Sequence, residues 1–212
     1  MAIVCPSVTA TDPHEYREQM ERVEKFAKRV HLDFMDGQFA PTESPAIESA
    51  WWPEHMVVDL HVMYVRPHDY IEKIIHLKPH LVIVHAEAEG HIEGMAKTLH
   101  AAGIKFGVAL LAKTSVAVLK PFIKQLDHVL VFSGDLGHYG GVADLALLEK
   151  VTQLKRLKKS LEIGWDGGIN HENAAALVRG GVQVLNVGGY IQRAEQPAVA
   201  YATLEALAGK QT

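Results

Sequence analysis

His31 and Asp33 stand two apart in the run His31-Leu32-Asp33-Phe34-Met35-Asp36-Gly37. On a strand, residues i and i+2 project from the same face, so an imidazole and a carboxylate emerge together. Burying such a pair without partners is costly, which calls for a metal, a substrate or a mutual hydrogen bond between them. A second histidine, His61, sits in Val57-Val58-Asp59-Leu60-His61-Val62-Met63, and another carboxylate, Asp166, opens Asp166-Gly167-Gly168. Two His and two Asp on separate strand ends can surround one divalent cation. Singly, each also reads as a core histidine, an N-cap or a buried hydrogen-bonded group.

What must position these residues is legible in the alternation of the chain. Short apolar runs at 2–7, 30–33, 57–62, 81–85, 105–109, 128–132, 162–165 and 184–187 are rich in Val, Ile and Leu without clean polar alternation. That is the pattern of parallel strands buried on both faces. Helical patterns lie between them. Asp12-Pro13 reads as an N-cap and N1 proline opening a helix to about residue 28. Further helices are expected at 67–76, 91–102, 115–123, 143–157, 170–179 and 197–207, with at most a short one at 44–51. Eight strands alternating with helices in 212 residues predict an α/β fold, a (β/α)8 TIM barrel forming a single domain over 1–212. The alternative, an open doubly wound sheet, expects a Gly-rich turn after the first strand, where this chain has Ser7-Val8-Thr9-Ala10. In a barrel, chemistry gathers at the C-terminal strand ends. Ser7, His31, Asp33, His61, His85 with Glu87, Ser133, Asp166 and Gly188-Gly189 all fall there.

Composition narrows the class. The formal net charge is −4 and no basic run accumulates, so a nucleic-acid partner is not expected. No apolar run is long enough for a membrane span and no leader pattern opens the chain, so no membrane partner is expected either. The one cysteine, Cys5, excludes an intrachain disulfide, fits a cytoplasmic location and reads as a core thiol.

The assembled motifs resemble the ribulose-phosphate 3-epimerase family along nearly the whole chain. The matching segments are Pro6-Ser7, His31 to Gly37 with Phe39 and Pro41, Asp59 to Met63 with Pro67, His85-Ala86-Glu87, Gly107-Val108-Ala109, Thr114-Ser115, Asp166 to Ile169 and Gly188. The resemblance implies a barrel of the ribulose-phosphate-binding type. It implies one divalent metal ion (Zn, Fe, Mn or Co) on His31, Asp33, His61 and Asp166, with Asp33 and Asp166 as the acid/base pair that inverts C3 of a ketose phosphate. D-ribulose 5-phosphate to D-xylulose 5-phosphate is the reaction expected first, and an allulose-type 6-phosphate second. Ser7, His61, Met35 and Met63 would contact the substrate. Gly137, Gly140, Gly141, Gly167, Gly168, Gly188 and Gly189 would offer backbone to its phosphate. A homo-oligomer, dimer or hexamer, is also implied. The chemistry needs these types: inverting a carbon α to a carbonyl requires proton removal on one face and return on the other, and a cation stabilises the enediolate between. Soft Met side chains exclude water without adding acids.

The loop after the sixth strand departs from the family's usual Pro-Gly-Phe-Gly-Gly-Gln. It reads Asp135-Leu136-Gly137-His138-Tyr139-Gly140-Gly141-Val142, with one residue inserted and the Gln gone. Phe132, Gln38, Thr42, Gly189 and Lys113 also differ from the usual residues. This change motivates a second reading, a phosphate-ligand-binding barrel without turnover. His138 and Tyr139 admit two roles, solvated loop residues or substrate contacts. His85 and Glu87 read as support for the site or as a structural pair, and Trp51-Trp52 as packing or a subunit contact. A decarboxylase or aldolase of related type would want a lysine where His61 stands in Asp59-Leu60-His61.

Overall fold

Each apolar run becomes a strand because its two faces find two different cores. In the computed structural model, which describes residues 2–209, the strands are β1 Ile3–Val8, β2 Arg29–Met35, β3 Val57–Met63, β4 Leu81–His85, β5 Lys105–Leu110, β6 His128–Phe132, β7 Glu162–Asp166 and β8 Val184–Val187. All pair in parallel in the order 1 to 8, and β8 pairs back to β1, closing the barrel. On β2, Val30, Leu32 and Phe34 point outward into the apolar layer shared with the helices. Arg29, His31, Asp33 and Met35 alternate with them and point inward. Leu81, Ile83, Ala109 and Leu130 fill the barrel interior as a separate apolar cluster.

The helices are α1 Pro13–Val23, α2 Ile71–Leu77, α3 Ile92–Ala101, α4 Leu148–Leu157, α5 Ala174–Arg179, α6 Gly189–Gln192 and α7 Pro197–Gly209. Asp12 caps α1 as expected, its Oδ1 accepting from His14 N at 2.8 Å and Glu15 N at 2.9 Å. The helix stops at Val23, short of the expected residue 28, because the chain must turn into β2. The helix expected at 115–123 is instead two 3-10 turns, Val116–Leu119 and Ile123–Gln125. Pro121 lies between them and can neither donate to a helical ladder nor fit its preceding turn. The start of α5 is delayed because Asn170 and Asn173 capture nearby backbone groups, Asn173 Oδ1 accepting from Asn170 N at 3.0 Å and Asn170 Oδ1 from Glu172 N at 2.8 Å. No helix among the described residues is long and apolar enough to cross a membrane.

The N-terminal end of the barrel holds a buried ion network that sequence reading left unassigned. Arg29 Nε meets Asp59 Oδ2 at 2.8 Å, and its two terminal nitrogens take Glu162 in a fork at 3.0 and 2.9 Å. His128 Nδ1 joins Glu162 Oε2 at 2.8 Å. Burial opposes the Glu162 charge, but His128 and Arg29 outweigh it and hold the carboxyl well below its usual range. Cys5 is fully buried, as expected, and burial with Asp59 nearby pushes its thiol up.

Candidate metal and active site

Strand register brings the four sequence-distant ligand candidates together at the C-terminal end. Asp33 pairs with His61, His31 with Ser7, and Asp166 with Asn186. One donor atom from each of His31, Asp33, His61 and Asp166 lies within 4.8 Å of the others. His61 Nδ1 is 2.9 Å and His31 Nε2 3.3 Å from Asp33 Oδ1, while Asp166 Oδ2 is 3.5 Å from His31 Nε2 and 3.9 Å from His61 Nδ1. Both histidines are 0% exposed. Both ring nitrogens of His31 lack a hydrogen-bond partner, although the ring is buried. A buried imidazole left unsatisfied between two carboxylates suits a bound cation. Electrostatics agree. Burial alone would lower His31, yet Asp166 and Asp33 push it up to about 10, so the pocket favours positive charge. The same histidines hold Asp33 well below its usual range against the opposing effect of burial.

His61 is braced from behind. Its Nε2 lies 2.9 Å from His85 Nε2, and His85 Nδ1 is 3.4 Å from Glu87 Oε2. Glu87 Oε1 accepts from Leu111 N at 3.1 Å and from the Thr114 hydroxyl. Burial pushes His85 down to about 4, only partly opposed by Glu87, so its ring is neutral at pH 7. Of the two readings of His85 and Glu87, the geometry is that of support for His61.

Above the cluster lies a cavity of about 270 Å³. Ser7, Asp33, Met63, Gly137, Gly140, Gly141, Asp166, Gly167, Gly168, Gly188 and Gly189 all line it. His31 and His61 lie buried beneath its floor. Met35 meets Met63 and Ala40 under Phe39 and Leu136, and borders a neighbouring pocket with Tyr64 and Ser44. The Ser7 hydroxyl is buried, lacks a hydrogen-bond partner and lines the cavity, as does the Asn186 amide. Asp36 acts as a turn former, its Oδ1 accepting from Gln38 N at 2.9 Å and Phe39 N at 2.7 Å. Trp51 packs edge-on against Tyr16, the ring centroids 5.9 Å apart, and does not line this cavity.

The glycines serve close packing as much as ligand access. A Cβ on Gly167 (φ +106°) would come within 2.1 Å of Gly134 N, so the loops after β6 and β7 touch backbone to backbone. The Gly168 N–H is already given to Gly140 O at 3.2 Å. Gly188 makes room for the ring of Tyr139, whose Cδ1 would lie 2.4 Å from an added Cβ.

Sequence reading did not single out Thr9 or Arg193, and it left Tyr139 and His138 between a solvated loop role and a substrate contact. Thr9 donates to Asp33 Oδ2 at 2.5 Å. Tyr139 is not a solvated loop residue: its hydroxyl accepts from Thr9 N at 2.7 Å and meets Ser7 O at 3.1 Å and Gln19 Oε1. Arg193 and His138 line the cavity mouth, with the Arg193 guanidinium 6.0 Å from the Tyr139 ring centre. Arg193 had a signal, since it stands one helical turn after Gly189 on α6.

Residues 3–192 match the model of the ribulose-phosphate 3 epimerase family. A ribulose-phosphate 3-epimerase of Bacillus subtilis (strain 168) is 32% identical over 200 residues, covering 90% of this chain and 92% of its own. The Schizosaccharomyces pombe enzyme of the same name is 30% identical over 203 residues, covering 92% and 89%. Among solved structures, 3-hexulose-6-phosphate synthase from Salmonella typhimurium superposes with a TM-score of 0.72 at 14% identity, covering 97% and 98% of the two chains. A 3-keto-L-gulonate-6-phosphate decarboxylase from Vibrio cholerae does so at 0.73 and 13%, covering 98% and 97%. At that identity these two share the fold.

Proposed function

This chain belongs to the ribulose-phosphate 3-epimerase family, and from that premise we propose that it inverts C3 of a phosphorylated ketose, with D-ribulose 5-phosphate to D-xylulose 5-phosphate as its reaction. The observation that carries the reading is the meeting of Asp33 and Asp166 with His31 and His61 under one cavity. His31, Asp33, His61 and Asp166 would hold one divalent ion (Zn, Fe, Mn or Co), which supplies Lewis-acid stabilisation of negative charge on the substrate's oxygens.

The chain's own residues account for the rest. Asp33 takes the C3 proton on one face while Asp166 returns a proton on the other, and the pair exchange roles in the reverse direction. Both line the cavity, and Asp33 is nearly buried, so its carboxylate meets substrate with little competing water. Were His61 Nδ1 to hold the cation, the His61 proton would sit on Nε2, 2.9 Å from His85 Nε2. The His85 proton would then sit on Nδ1, toward Glu87. Met63 and Phe132 wall the cavity with apolar surface. The Ser7 hydroxyl takes a substrate oxygen, which supplies its missing partner. Met35 backs Met63. Gly137, Gly140, Gly141, Gly188 and Gly189 edge the phosphate end, with Arg193 adding positive charge and His138 a polar ring to the lining.

The test is a screen of ketose phosphates in deuterated water with metal analysis of the same sample. One solvent deuteron should enter at C3 of ribulose 5-phosphate as xylulose 5-phosphate forms. Faster exchange of allulose 6-phosphate would move the substrate assignment. Ligand-induced stabilisation without exchange of any ketose phosphate would refute the catalytic reading in favour of a binding protein.

A further inference from the structure

Asp33 has both carboxylate oxygens engaged, and by different parts of the fold. Oδ1 faces His61 Nδ1 and His31 Nε2, whereas Oδ2 receives the Thr9 hydroxyl at 2.5 Å. Thr9 lies just past β1 and is itself fixed at every polar atom. Its N–H is shared between Gln19 Oε1 at 2.9 Å and the Tyr139 hydroxyl at 2.7 Å, and its carbonyl accepts from Gln19 Nε2 at 3.1 Å. Gln19, on the inner face of α1, is buried. The Tyr139 hydroxyl passes its single proton to Gln19 Oε1 or to Ser7 O. Four segments therefore converge on one threonine: the β1 end, α1, the loop after β6, and β2 through Asp33.

We propose that Thr9 is a positioning residue for the Asp33 acid/base group, held in register by Gln19 and Tyr139. The inference rests on the assignment of Asp33 as an acid/base group given above. Packing alone gives no reason for these groups, because burying a hydroxyl and an amide costs free energy that an apolar pair would avoid. Orientation does give one. A carboxylate held at one oxygen only can rotate its plane, and a misplacement on the order of 1 Å at a reacting atom lowers rate by roughly a hundredfold. Oδ2 is the oxygen not turned toward the histidines, which leaves it to meet the C3 hydrogen. When Oδ2 is ionised the Thr9 hydroxyl donates to it. A β-branched residue suits the post because its χ1 is restricted. Tyr139 makes the arrangement depend on the seating of the loop after β6, since its hydroxyl completes the cage around the Thr9 N–H.

The experiment compares wild type, Thr9→Val and Thr9→Ser. It measures kcat and KM on the ketose phosphate that wild type turns over, bound metal per chain, and deuterium in recovered substrate against product. Valine keeps the branched shape and removes the hydroxyl. The expected result is a kcat for Thr9→Val lower by roughly ten- to a hundredfold, with KM within about twofold, metal content unchanged, an altered deuterium partition, and recovery in Thr9→Ser. A Thr9→Val protein with wild-type kcat would overturn the proposal, as would a loss that tracks metal loss or that serine fails to restore. Absence of exchange by wild type on any ketose phosphate would instead overturn the epimerase reading and this inference with it.

Discussion

The ion network at the N-terminal end of the barrel makes a quantitative prediction that is independent of catalysis. Glu162→Gln keeps the size and an accepting oxygen but removes the charge that Arg29 grips at 2.9 and 3.0 Å and His128 at 2.8 Å. Breaking a fully buried pair costs about 3–5 kcal/mol. Asp59 remains on Arg29 Nε at 2.8 Å, and the Glu162 side chain is 30% exposed, so water recovers part of the loss. About 2 kcal/mol is therefore expected at pH 7. For a chain of this length that is a fall in Tm of about 4–8 °C. The pH dependence has a definite sign. The folded-state pKa of Glu162 is depressed from its usual 4.5, so the stability it confers is complete above that value and is lost as pH falls through the folded-state value. The gap in Tm between wild type and Glu162→Gln should be largest near neutrality and shrink on acidification toward pH ~3. Thermal melts of both proteins across that range, by circular dichroism, are the assay. Metal content should match wild type, since Glu162 opens the strand that Asp166 closes, about 13 Å away. Equal Tm at neutral pH, or a gap that widens in acid, would refute the assignment of the network as stabilising.

Three further outcomes follow from the site and its loops. Asp166→Asn should lower epimerisation by at least about a hundredfold while leaving the fold intact by circular dichroism, and an active, metal-bound Asn variant would refute its role. His85→Leu removes the group 2.9 Å from His61 Nε2 and should weaken metal binding by roughly ten- to a hundredfold in a chelator competition; unchanged affinity would make His85 a packing residue. Gly167→Ala combines φ +106° with a Cβ placed 2.1 Å from Gly134 N and should cost about 3 kcal/mol, whereas Gly103→Ala, at φ +76° with no atom within 4 Å, should cost about 1 kcal/mol; paired melts read the difference.

What the sequence disclosed and what it hid divide along a physical line. His31 and Asp33 share a strand face by the two-residue period alone, and parallel register then sets Asp33 beside His61. Strand residues are placed by a repeating ladder, so the meeting of His31, Asp33, His61 and Asp166 was legible from spacing, and all eight strands were too. Helices were less so wherever a side chain or a proline competes with the ladder: Pro121 broke the segment after β5, and Asn170 with Asn173 delayed α5. The N-terminal network escaped because Arg29, Asp59, His128 and Glu162 lie at strand starts, where a charge ordinarily reads as the solvated edge of an element. Thr9 and Gln19, and the hydrogen-bonding role of Tyr139, escaped for a different reason. They come from a strand end, a helix and a loop with one inserted residue, and no period relates them.

The inserted loop also changes how the departures near it should be weighed. Gly137 sits so close to Thr42 Oγ1 and Met35 Sδ that a Cβ there would lie 2.9 and 3.3 Å from them. The loop after β6 therefore touches the segment after β2 at one end, and through Tyr139 it touches β1, α1 and Gly188 at the other. Thr42 and the lengthened segment that carries Tyr139 are among the places where this chain leaves the family's usual pattern, and with the retained Gly137 they lie along one stretch of contact. A loop seated at both ends orders the roof before substrate arrives, so less of its conformational entropy is lost on binding. On the proposed epimerase reading, Arg193, His138 and glycine backbone already in place would meet the phosphate, and the same loop would orient the carboxylate beneath through Thr9. Substitutions in this roof should therefore act on KM through the phosphate and on kcat through Asp33 together, a coupling that a loop serving phosphate alone would not produce.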